Sequence, residues 1–146
     1  MEVINDVFPT NPDQIKMLRE EGPTGPIFMV NLLKFKPRAE YKDGRSTNLT
    51  GRQAYDLYSE GVRKLLPEFG GRSIFAADVT FLTLGTVEEL WDEVAVAMYP
   101  RRSTLLAMSS SLEWRQIAVH RDAGLSGQLN IETVLAPGRV IDWRVS

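Results

Sequence analysis

The chain has 146 residues, of which 43% are hydrophobic, and 17 Lys and Arg stand against 19 Asp and Glu for a net charge of −2. This composition is typical of a globular protein and argues against a nucleic-acid-binding protein, which carries a clustered basic excess. The absence of cysteine excludes disulfides, thiolate metal sites and cysteine nucleophiles. No apolar run approaches the ~18 residues of a membrane helix, and the first residues lack the pattern of a signal peptide. We therefore expect a cytoplasmic protein with neither nucleic acid nor membrane as a partner.

The N-terminal part of the chain predicts a short helix and then a buried strand. Asn11-Pro12-Asp13 places a capping residue before proline at the first helical position, and Gly22-Pro23 ends the helix. The run from Ile27 to Phe35 follows, and Asn31 is its one polar interruption before Lys34. A strand that is apolar on both faces is typical of the centre of a sheet that is covered on each side.

A polar loop and an amphipathic helix come next. Residues 37–50 are rich in turn formers, with Asp43-Gly44 as the predicted tight turn, so we expect a long loop that is the most mobile part of the chain. From Gly51 to Leu66, apolar residues recur at helical spacing and charged residues fill the other face. This pattern predicts an amphipathic helix of about four turns.

The second half of the chain predicts two strands, a helical region and a final strand. Residues 73–84 and 90–99 are the two strands, and the second is apolar on both faces. A helical region begins near Ser103, and Ser111 is predicted to cap a further helix after the serine run. Gly124 and Gly127 predict a turn before the final strand at 129–135.

We interpret the whole chain, 1–146, as a single domain. Its core is predicted at 27–135, with an N-terminal helical extension at 1–25 and the long loop at 37–50. Residues 138–146 alternate between apolar and polar side chains. They are predicted to form a C-terminal arm, either as an extra edge strand or against a partner.

Without the first helix, the predicted order is β-α-β-β-α-β, which is the order of the ferredoxin-like α+β fold. Right-handed crossovers place both helices on one face of a four-stranded antiparallel sheet. The first and third strands are central in this topology, and both are apolar on each face, so the uncovered face would be a large exposed apolar patch on a monomer. We therefore expect a homodimer in which two sheets pack face to face, as in a dimeric α+β barrel.

Short segments spread along the chain carry a resemblance to a known family. They are Met29 to Phe35, Tyr55 to Tyr58, Gly70-Gly71-Arg72, Trp91-Asp92-Glu93, Tyr99-Pro100, Glu113 to Gln116, and His120-Arg121 with Leu125. On these segments, from about Ile27 to Leu135, the chain resembles the DUF1330 family of the dimeric α+β barrel superfamily.

The resemblance implies a ferredoxin-like fold and a dimer, and it implies no particular reaction because the family is largely uncharacterised. Relatives elsewhere in the superfamily include cofactor-free monooxygenases, haem enzymes and lactone isomerases. Two positions depart from the family pattern. Arg101 stands where members commonly have a serine cap, and the run from Ser111 to Trp114 replaces a frequent Asp-Pro-Glu-Tyr sequence. Both changes concern the starts of helices.

His120 is the candidate catalytic residue and the only histidine in the chain, which excludes metal sites built on several histidines. It lies where a helix is predicted to end, which favours the protonated ring, while the neighbouring Arg121 opposes protonation. An imidazole with an ordinary pKa of about 6.5 under such opposing influences can act as an acid or a base near neutrality. The alternative is a histidine that only caps its helix.

We predict no metal and no other cofactor, because the sequence has no phosphate loop, dinucleotide fingerprint or metal-ligand spacing. Haem with His120 as the axial ligand is a remote alternative.

The candidate substrate-binding residues are Asn31, Tyr58, Trp91, Tyr99 and Arg121. A carboxamide in an apolar strand must find hydrogen-bond partners, so Asn31 either orients a ligand carbonyl or fixes the strand register. The three aromatic residues carry polar tips on apolar bodies and serve either the core or a pocket. Arg121 is the candidate for holding a carboxylate or polarising a carbonyl, and we predict that His120, Asn31 and Arg121 share one pocket.

These residues favour a small-molecule-binding domain. In one form of this hypothesis the protein is a cofactor-independent enzyme that uses acid–base chemistry on a small, partly apolar substrate. The alternatives are a non-catalytic ligand-binding protein and a purely structural homodimer domain.

Overall fold

The structure is a computed structural model that describes residues 6–7 and 11–139. This part of the chain contains four strands and four α-helices, and none of these helices has the length and apolar character needed to cross a membrane. The strands are β1 (Ile27–Phe35), β2 (Arg72–Asp78), β3 (Glu93–Tyr99) and β4 (Leu125–Thr133). The helices are α1 (Pro12–Leu18), α2 (Gly51–Leu65), α3 (Arg102–Ser109) and α4 (Leu112–Gly124), and a 3₁₀ helix, Leu66–Phe69, follows α2.

The four strands form one antiparallel sheet in the order β2-β3-β1-β4. β1 and β3 are therefore the central strands, as the two-sided apolar pattern of their sequences predicts. Helices α2 and α4 pack together, and the side chains of α2 and α4 cover one face of the sheet. The predicted ferredoxin-like α+β fold is confirmed.

Local sequence signals start the two long helices where they were expected. Thr50 and Gln53 form a reciprocal capping box at the start of α2, in which each side chain accepts a hydrogen bond from the backbone N–H of the other residue. The Ser111 hydroxyl accepts a hydrogen bond from the backbone N–H of Trp114 and caps α4, as predicted. Asn11 likewise caps α1 through Asp13.

The main core lies between the helices and the face of the sheet that we call the inner face. On β1 the inner face is formed by the odd-numbered residues, because successive side chains of a strand point to opposite sides. Ile27 and Met29 pack there against side chains from the helical part of the chain. The other buried members of this cluster are Leu65, Leu66, Tyr99 and Met108.

The opposite face of the sheet, the outer face, is apolar as well. Phe28, Val96 and Met98 form a buried cluster on it. Towards its edges the cover is incomplete, since Phe75 and Ile131 are 50% and 44% exposed. The register pairs these two residues with Val96 and Val30, which places them on the outer face.

Several predicted boundaries are wrong. α1 ends at Leu18, before Gly22-Pro23, and β3 begins at Glu93 instead of residue 90. β2 ends at Asp78 instead of residue 84, because β3 begins only at Glu93 and leaves residues 79–84 without a partner strand among the described residues. β4 begins at Leu125, directly after α4, so Gly124 and Gly127 do not form the predicted turn. The predicted C-terminal arm lies almost entirely outside the described residues.

Both backbone and side-chain hydrogen bonds join the loop at 37–50 to the rest of the fold. Ala39 is buried and donates its N–H to the carbonyl of Leu49, while Glu40 donates to the carbonyl of Ala123 at the end of α4. Gly44 adopts a φ of +79°, and its N–H closes the predicted turn onto the Tyr41 carbonyl. The expected mobility of this loop stays a prediction.

A hydrogen bond between Tyr41 and His120 attaches the middle of the loop to α4. The Tyr41 hydroxyl lies 2.7 Å from Nδ1 of His120, and the two rings meet edge to face. The Arg45 guanidinium lies 4.5 Å from the centre of the Tyr41 ring and is paired with Asp43. His120 therefore faces an aromatic ring and a cation from the loop.

The backbones of α2, α4 and the end of β1 meet at two glycines. Gly51 donates its N–H to the carbonyl of Lys36, and Lys36 donates to the carbonyl of Gly124. A Cβ on Gly51 would overlap the carbonyl oxygens of Lys36 and Gly124, and a Cβ on Gly124 would overlap the carbonyl oxygen of Gly51. Only glycine fits at either position.

We expect Gly124→Ala to lower the free energy of unfolding by at least about 1–3 kcal/mol, because the added methyl group meets backbone that cannot rotate away. Urea denaturation measures this change. Gly25→Ala is the matched control, since a Cβ there has no atom within 4 Å, and its effect should stay within about 0.5 kcal/mol. Equal stabilities of the two variants would contradict the glycine contact.

The Tyr41–His120 bond predicts that loop docking depends on pH. Burial and the Arg45 guanidinium lower the pKa of His120 below its ordinary value of 6.5, so the docked loop favours the neutral ring. Docking is therefore strongest above pH ~6.5 and weakens as the pH falls below it, because protonation costs more in the docked state than in the detached one. We expect the amides of Ala39 and Glu40 to show higher exchange protection at about pH 7.5 than at about pH 5.5.

His120→Asn is the control, because its side chain stays neutral throughout and should remove the pH dependence of protection. The single histidine also gives a single imidazole titration by NMR. An imidazole that titrates at or above the ordinary pKa would contradict the prediction, as would protection that is independent of pH in the wild type.

Candidate functional site

A chain of polar side chains crosses the inner face from α4 to the central strand. Arg121 Nη2 donates to Oε1 of Gln128 at 2.6 Å, and Gln128 Nε2 donates to Oδ1 of Asn31 at 2.8 Å. Asn31 Nδ2 in turn lies within hydrogen-bond distance of the carbonyl oxygens of Met29 and Ala95. Both ends of the Asn31 carboxamide are therefore satisfied, which removes the cost of burying it.

Arg121 is fixed in position by several partners. Besides Gln128, its guanidinium donates to the Asp122 carboxylate at 3.0 Å and to the Val7 carbonyl at 2.7 Å. The side chain of Arg121 is only 14% exposed. Asp122 balances its charge, which a cation with so little access to water requires.

Aromatic side chains of α2 and α4 lie beside this polar chain. The ring centres of Tyr55 and Tyr58 are 5.3 Å apart, and Tyr58 meets Trp114 edge to face at 6.4 Å. Trp114 Nε1 donates to the Tyr58 hydroxyl at 3.2 Å. Tyr99 lies on the inner face at the end of β3. The Tyr58 hydroxyl raises the pKa of Tyr99, so the Tyr99 side chain extends towards these aromatic residues.

The three tyrosines are neutral phenols. Burial raises the pKa of Tyr55, Tyr58 and Tyr99, and nearby hydroxyls raise it further for Tyr55 and Tyr99. The Arg121 guanidinium opposes this rise for Tyr55 and Tyr58, so it lies near both hydroxyls. The phenols are thus available as hydrogen-bond donors and acceptors.

Small residues form the floor below these tyrosines. Ala95 lies opposite Asn31 and Ala97 lies opposite Met29 on the inner face. Both alanines remain partly exposed, although they are in a central strand beneath two helices. We call the region of the inner face formed by Ala95 and Ala97 together with Tyr55, Tyr58 and Tyr99 the inner hollow.

Two of these tyrosines, Tyr55 and Tyr99, are nearly buried and carry hydroxyl groups. Tyr55 and Tyr99 are 7% and 5% exposed, and neither hydroxyl makes a hydrogen bond within the described residues. No side-chain nitrogen or oxygen that is fully buried in this part of the chain lacks a hydrogen-bond partner. Each of the two hydroxyls therefore keeps some contact with solvent.

The structure brings four of the predicted site residues together around the inner hollow: Asn31, Tyr58, Tyr99 and Arg121. It does not bring His120 to them. Adjacent residues of a helix point about 100° apart, so when Arg121 faces the sheet, His120 faces the loop and Tyr41. The predicted common pocket is corrected accordingly. Trp91 lies in the connection before β3 and makes none of the described contacts with this group.

Sequence reasoning missed Tyr55, Trp114, Gln128 and Glu93 as members of the site. The spacing of Tyr55 and Tyr58, three residues apart on one helix face, is a signal for the first of them. Gln128 lies beside the predicted turn and before the predicted final strand, so the sequence did not show which face of the sheet its side chain occupies. Glu93 is buried on the inner face, opposite Leu33, and only the register of β3 reveals this orientation.

A separate cavity of about 450 Å³ opens at the rim of the outer face. It contains no ionisable side chain and none of the predicted site residues. Its lining is mostly apolar and includes the hydroxyl group of Thr24. The lining residues are Pro23, Thr24, Gly25, Pro26, Phe28, Val134 and Leu135.

Among the described residues, no group of three or more His, Asp or Glu side chains is arranged to hold a metal ion.

No family model matches this sequence, and no curated protein matches it. A solved structure of RPA0582, described as a protein of unknown function from Rhodopseudomonas palustris, is 27% identical with a TM-score of 0.79 over 92% of this chain and 100% of that chain. A dimeric protein of unknown function with a ferredoxin-like fold from Bacteroides fragilis is 9% identical, with a TM-score of 0.52 over 76% of this chain and 97% of that chain, and shares the fold alone. The methylated form of RPA0582 is 30% identical with a TM-score of 0.80 over 92% of this chain and 98% of that chain. Because this identity extends over nearly the whole of both chains, the protein belongs to the same family as RPA0582.

Proposed function

We propose that this protein binds a small molecule in the inner hollow. The observation that carries the proposal is the pair of buried hydroxyls, Tyr55 and Tyr99, that make no hydrogen bond within the described residues, the first of them near the fixed Arg121 guanidinium. Unpaired polar groups in an apolar, concave site are typical of ligand recognition. The tyrosine rings and the alanine floor favour a partly apolar ligand, such as a planar ring.

Arg121 is the proposed anchor for a carboxylate or carbonyl of this ligand. A guanidinium has five N–H donors, and three of its hydrogen bonds go to Asp122, Val7 and Gln128. Donors therefore remain for a ligand oxygen, while the bound partners hold the guanidinium still. A group held in this way loses little conformational entropy when the ligand binds.

A cofactor-independent enzyme with acid–base chemistry is a narrower form of the same proposal. His120 does not supply the proton transfer in this form, because its ring is engaged with Tyr41 outside the inner hollow. We also propose that the chain is a member of the DUF1330 family. The supporting observation is that the fold brings Asn31, Tyr58 and Arg121 together. We propose a cytoplasmic location, with no metal, nucleic acid or membrane involved.

We further propose that two copies pair through their outer faces. The apolar side chains Val30, Phe75 and Ile131 lie on this face, and the last two are half exposed. The solved Bacteroides fragilis protein of the same fold is described as dimeric. A two-fold pairing of these faces would bury more than the ~1,600 Å² of a standard interface.

We expect Arg121→Gln to weaken the binding of an aromatic carboxylate, with benzoate as the probe, by about tenfold or more, because a charged hydrogen bond to the ligand is lost. Titration followed by NMR, through the methyl signals of Ala95 and Ala97, measures this affinity. Arg115→Gln is the matched control: Arg115 is an exposed arginine of the same helix, and its variant should bind as the wild type does.

Arg121→Lys is the second variant, in case Arg121→Gln is unstable. It keeps the positive charge but loses the planar guanidinium, so it should retain part of the affinity for benzoate. Wild-type protein whose Ala95 and Ala97 methyl signals do not respond to millimolar benzoate would contradict the proposed site, as would equal binding by the wild type and both Arg121 variants.

The homodimer predicts that a charge on the outer face separates the copies. We expect Ile131→Lys to be monomeric at micromolar concentration, because pairing would bury an unpaired ammonium. Val119→Lys is the matched control, since Val119 on α4 is 40% exposed, close to the exposure of Ile131, and lies outside the sheet. Light scattering should report a dimer for the wild type and for Val119→Lys, and a monomeric wild type would exclude the pairing.

A further inference from the structure

The β2–β3 connection, residues 79–92, carries the two most exposed large apolar side chains in the described part of the chain. They are Phe81 and Leu84, which are 74% and 89% exposed. Backbone hydrogen bonds hold the base of the connection, where Val79 donates its N–H to the carbonyl of Asp92 and the N–H of Asp92 bonds to β1. Exposed apolar surface of this kind marks a contact with another molecule.

Lys34 places the β2–β3 connection on the outer side of the sheet. This residue has an even number in β1, so its side chain points to the outer face, as that of Phe28 does. Its ammonium donates to the carbonyl of Leu90 at 2.9 Å and forms ion pairs with Glu89 and Asp92 at 3.4 and 3.3 Å. The connection therefore lies on the side of the sheet that is proposed for pairing.

The cavity of about 450 Å³ at the rim of the outer face, the rim cavity, lies at the diagonally opposite corner of the sheet. The β2–β3 connection follows Asp78 at the β2 edge, in the row of Leu33. The rim cavity lies beyond Phe28 towards the β4 edge, because Val134 and Leu135 of its lining directly follow β4. Leu135 also packs against the apolar cluster that contains Phe28, so the rim cavity is continuous with the outer face.

A two-fold axis can bring these two corners together. The outer face is nearly square, since three strand spacings of ~4.8 Å and five residues of ~3.4 Å give sides of ~14 and ~17 Å. An axis in the plane of the interface, along the diagonal that joins the other two corners, exchanges the corner of the connection with that of the rim cavity. The strands of the two sheets then cross at nearly a right angle, as in orthogonal sheet packing. The contact forms twice, because each copy has one connection and one rim cavity.

The size of the sheet also calls for contacts beyond its strands. A face of ~14 by ~17 Å is smaller than the about 800 Å² that each partner contributes to a standard interface. Pairing of the outer faces therefore reaches the expected size only with surface from beyond the four strands. The β2–β3 connection can supply this surface, since it lies on the outer side and carries exposed apolar side chains.

We propose that the β2–β3 connection of each copy inserts Phe81 and Leu84 into the rim cavity of the other copy. The inference rests on the proposed homodimer and fixes the direction of its two-fold axis. Insertion removes apolar surface from water on both partners, because the lining of the rim cavity is mostly apolar as well. The connection of the same copy does not reach the rim cavity, because the diagonal of the sheet, ~22 Å, separates the two corners.

The absence of cysteine permits a cross-linking test. The double variant Leu84→Cys with Thr24→Cys pairs a protruding position with an exposed position of the cavity lining. We expect mild oxidation to convert most of it into a covalent dimer on a non-reducing gel, because a disulfide requires Cα atoms within ~7 Å and these corners of one chain are farther apart. Leu84→Cys with Ser126→Cys is the matched control. Ser126 is exposed at the opposite end of β4, so this variant should remain mostly uncross-linked.

The exposed positions of the connection also allow a thermodynamic test that leaves the fold intact. We expect Phe81→Ser and Leu84→Ser each to raise the Kd of the dimer about tenfold or more, because each dimer loses two buried apolar side chains. Analytical ultracentrifugation measures this Kd. Leu112→Ser is the matched control, since Leu112 is 66% exposed at the start of α4, on the helical side of the sheet. Its Kd should stay within about twofold of the wild type.

The two tests separate this inference from the proposed homodimer. A wild type that is monomeric at micromolar concentration would overturn the pairing of the outer faces and this inference with it. A dimeric wild type whose Kd is unchanged in Phe81→Ser and Leu84→Ser would overturn the inference alone, as would equal yields of covalent dimer from the two cysteine pairs. Both results are expected if residues 140–146 of the same chain occupy the rim cavity instead.

Discussion

The contact of Gly51 with Gly124 sets the geometry on which the site depends. Because neither glycine carries a side chain, the start of α2 and the end of α4 approach to backbone distance at the end of β1. Arg52 directly follows one glycine, and Arg121 lies one helical turn before the other. The two arginines thus start from neighbouring backbones, and a larger residue at either glycine would move α2 relative to α4.

Asn31 and Arg121 bring polar groups into the inner core, and each has hydrogen-bond partners there. Asn31 would cost about 1–3 kcal/mol if left unpaired in an apolar strand, and the carbonyl of Ala95 together with Gln128 removes this cost. Arg121 is balanced by Asp122 in the same way. The hydroxyls of Tyr55 and Tyr99 differ from these groups, because they make no hydrogen bond to any residue that the structure describes.

Alternation along β1 assigns different roles to the two faces of one sheet. Asn31 and its odd-numbered neighbours face the helices and the inner hollow, whereas Phe28 and Val30 face outwards. A one-residue slip of register would exchange these sets and bury Lys34 in the core. The proposed ligand site and the proposed pairing surface therefore share a strand without sharing a side chain, so substitutions on one face test one proposal at a time.

Periodicity in the sequence determined the elements, their order and hence the ferredoxin-like fold, and it marked Asn31 as exceptional, because hydrophobic spacing and capping act over a few residues. Tertiary structure alone decided which distant side chains meet. Gln128 reaches Asn31 across 97 positions of sequence, and β2 stops at Asp78 because its partner strand begins at Glu93. The direction in which the His120 side chain points is set by the orientation of α4 about its own axis relative to the sheet. That rotation minimises the free energy of the whole packed core, and no local pattern records it.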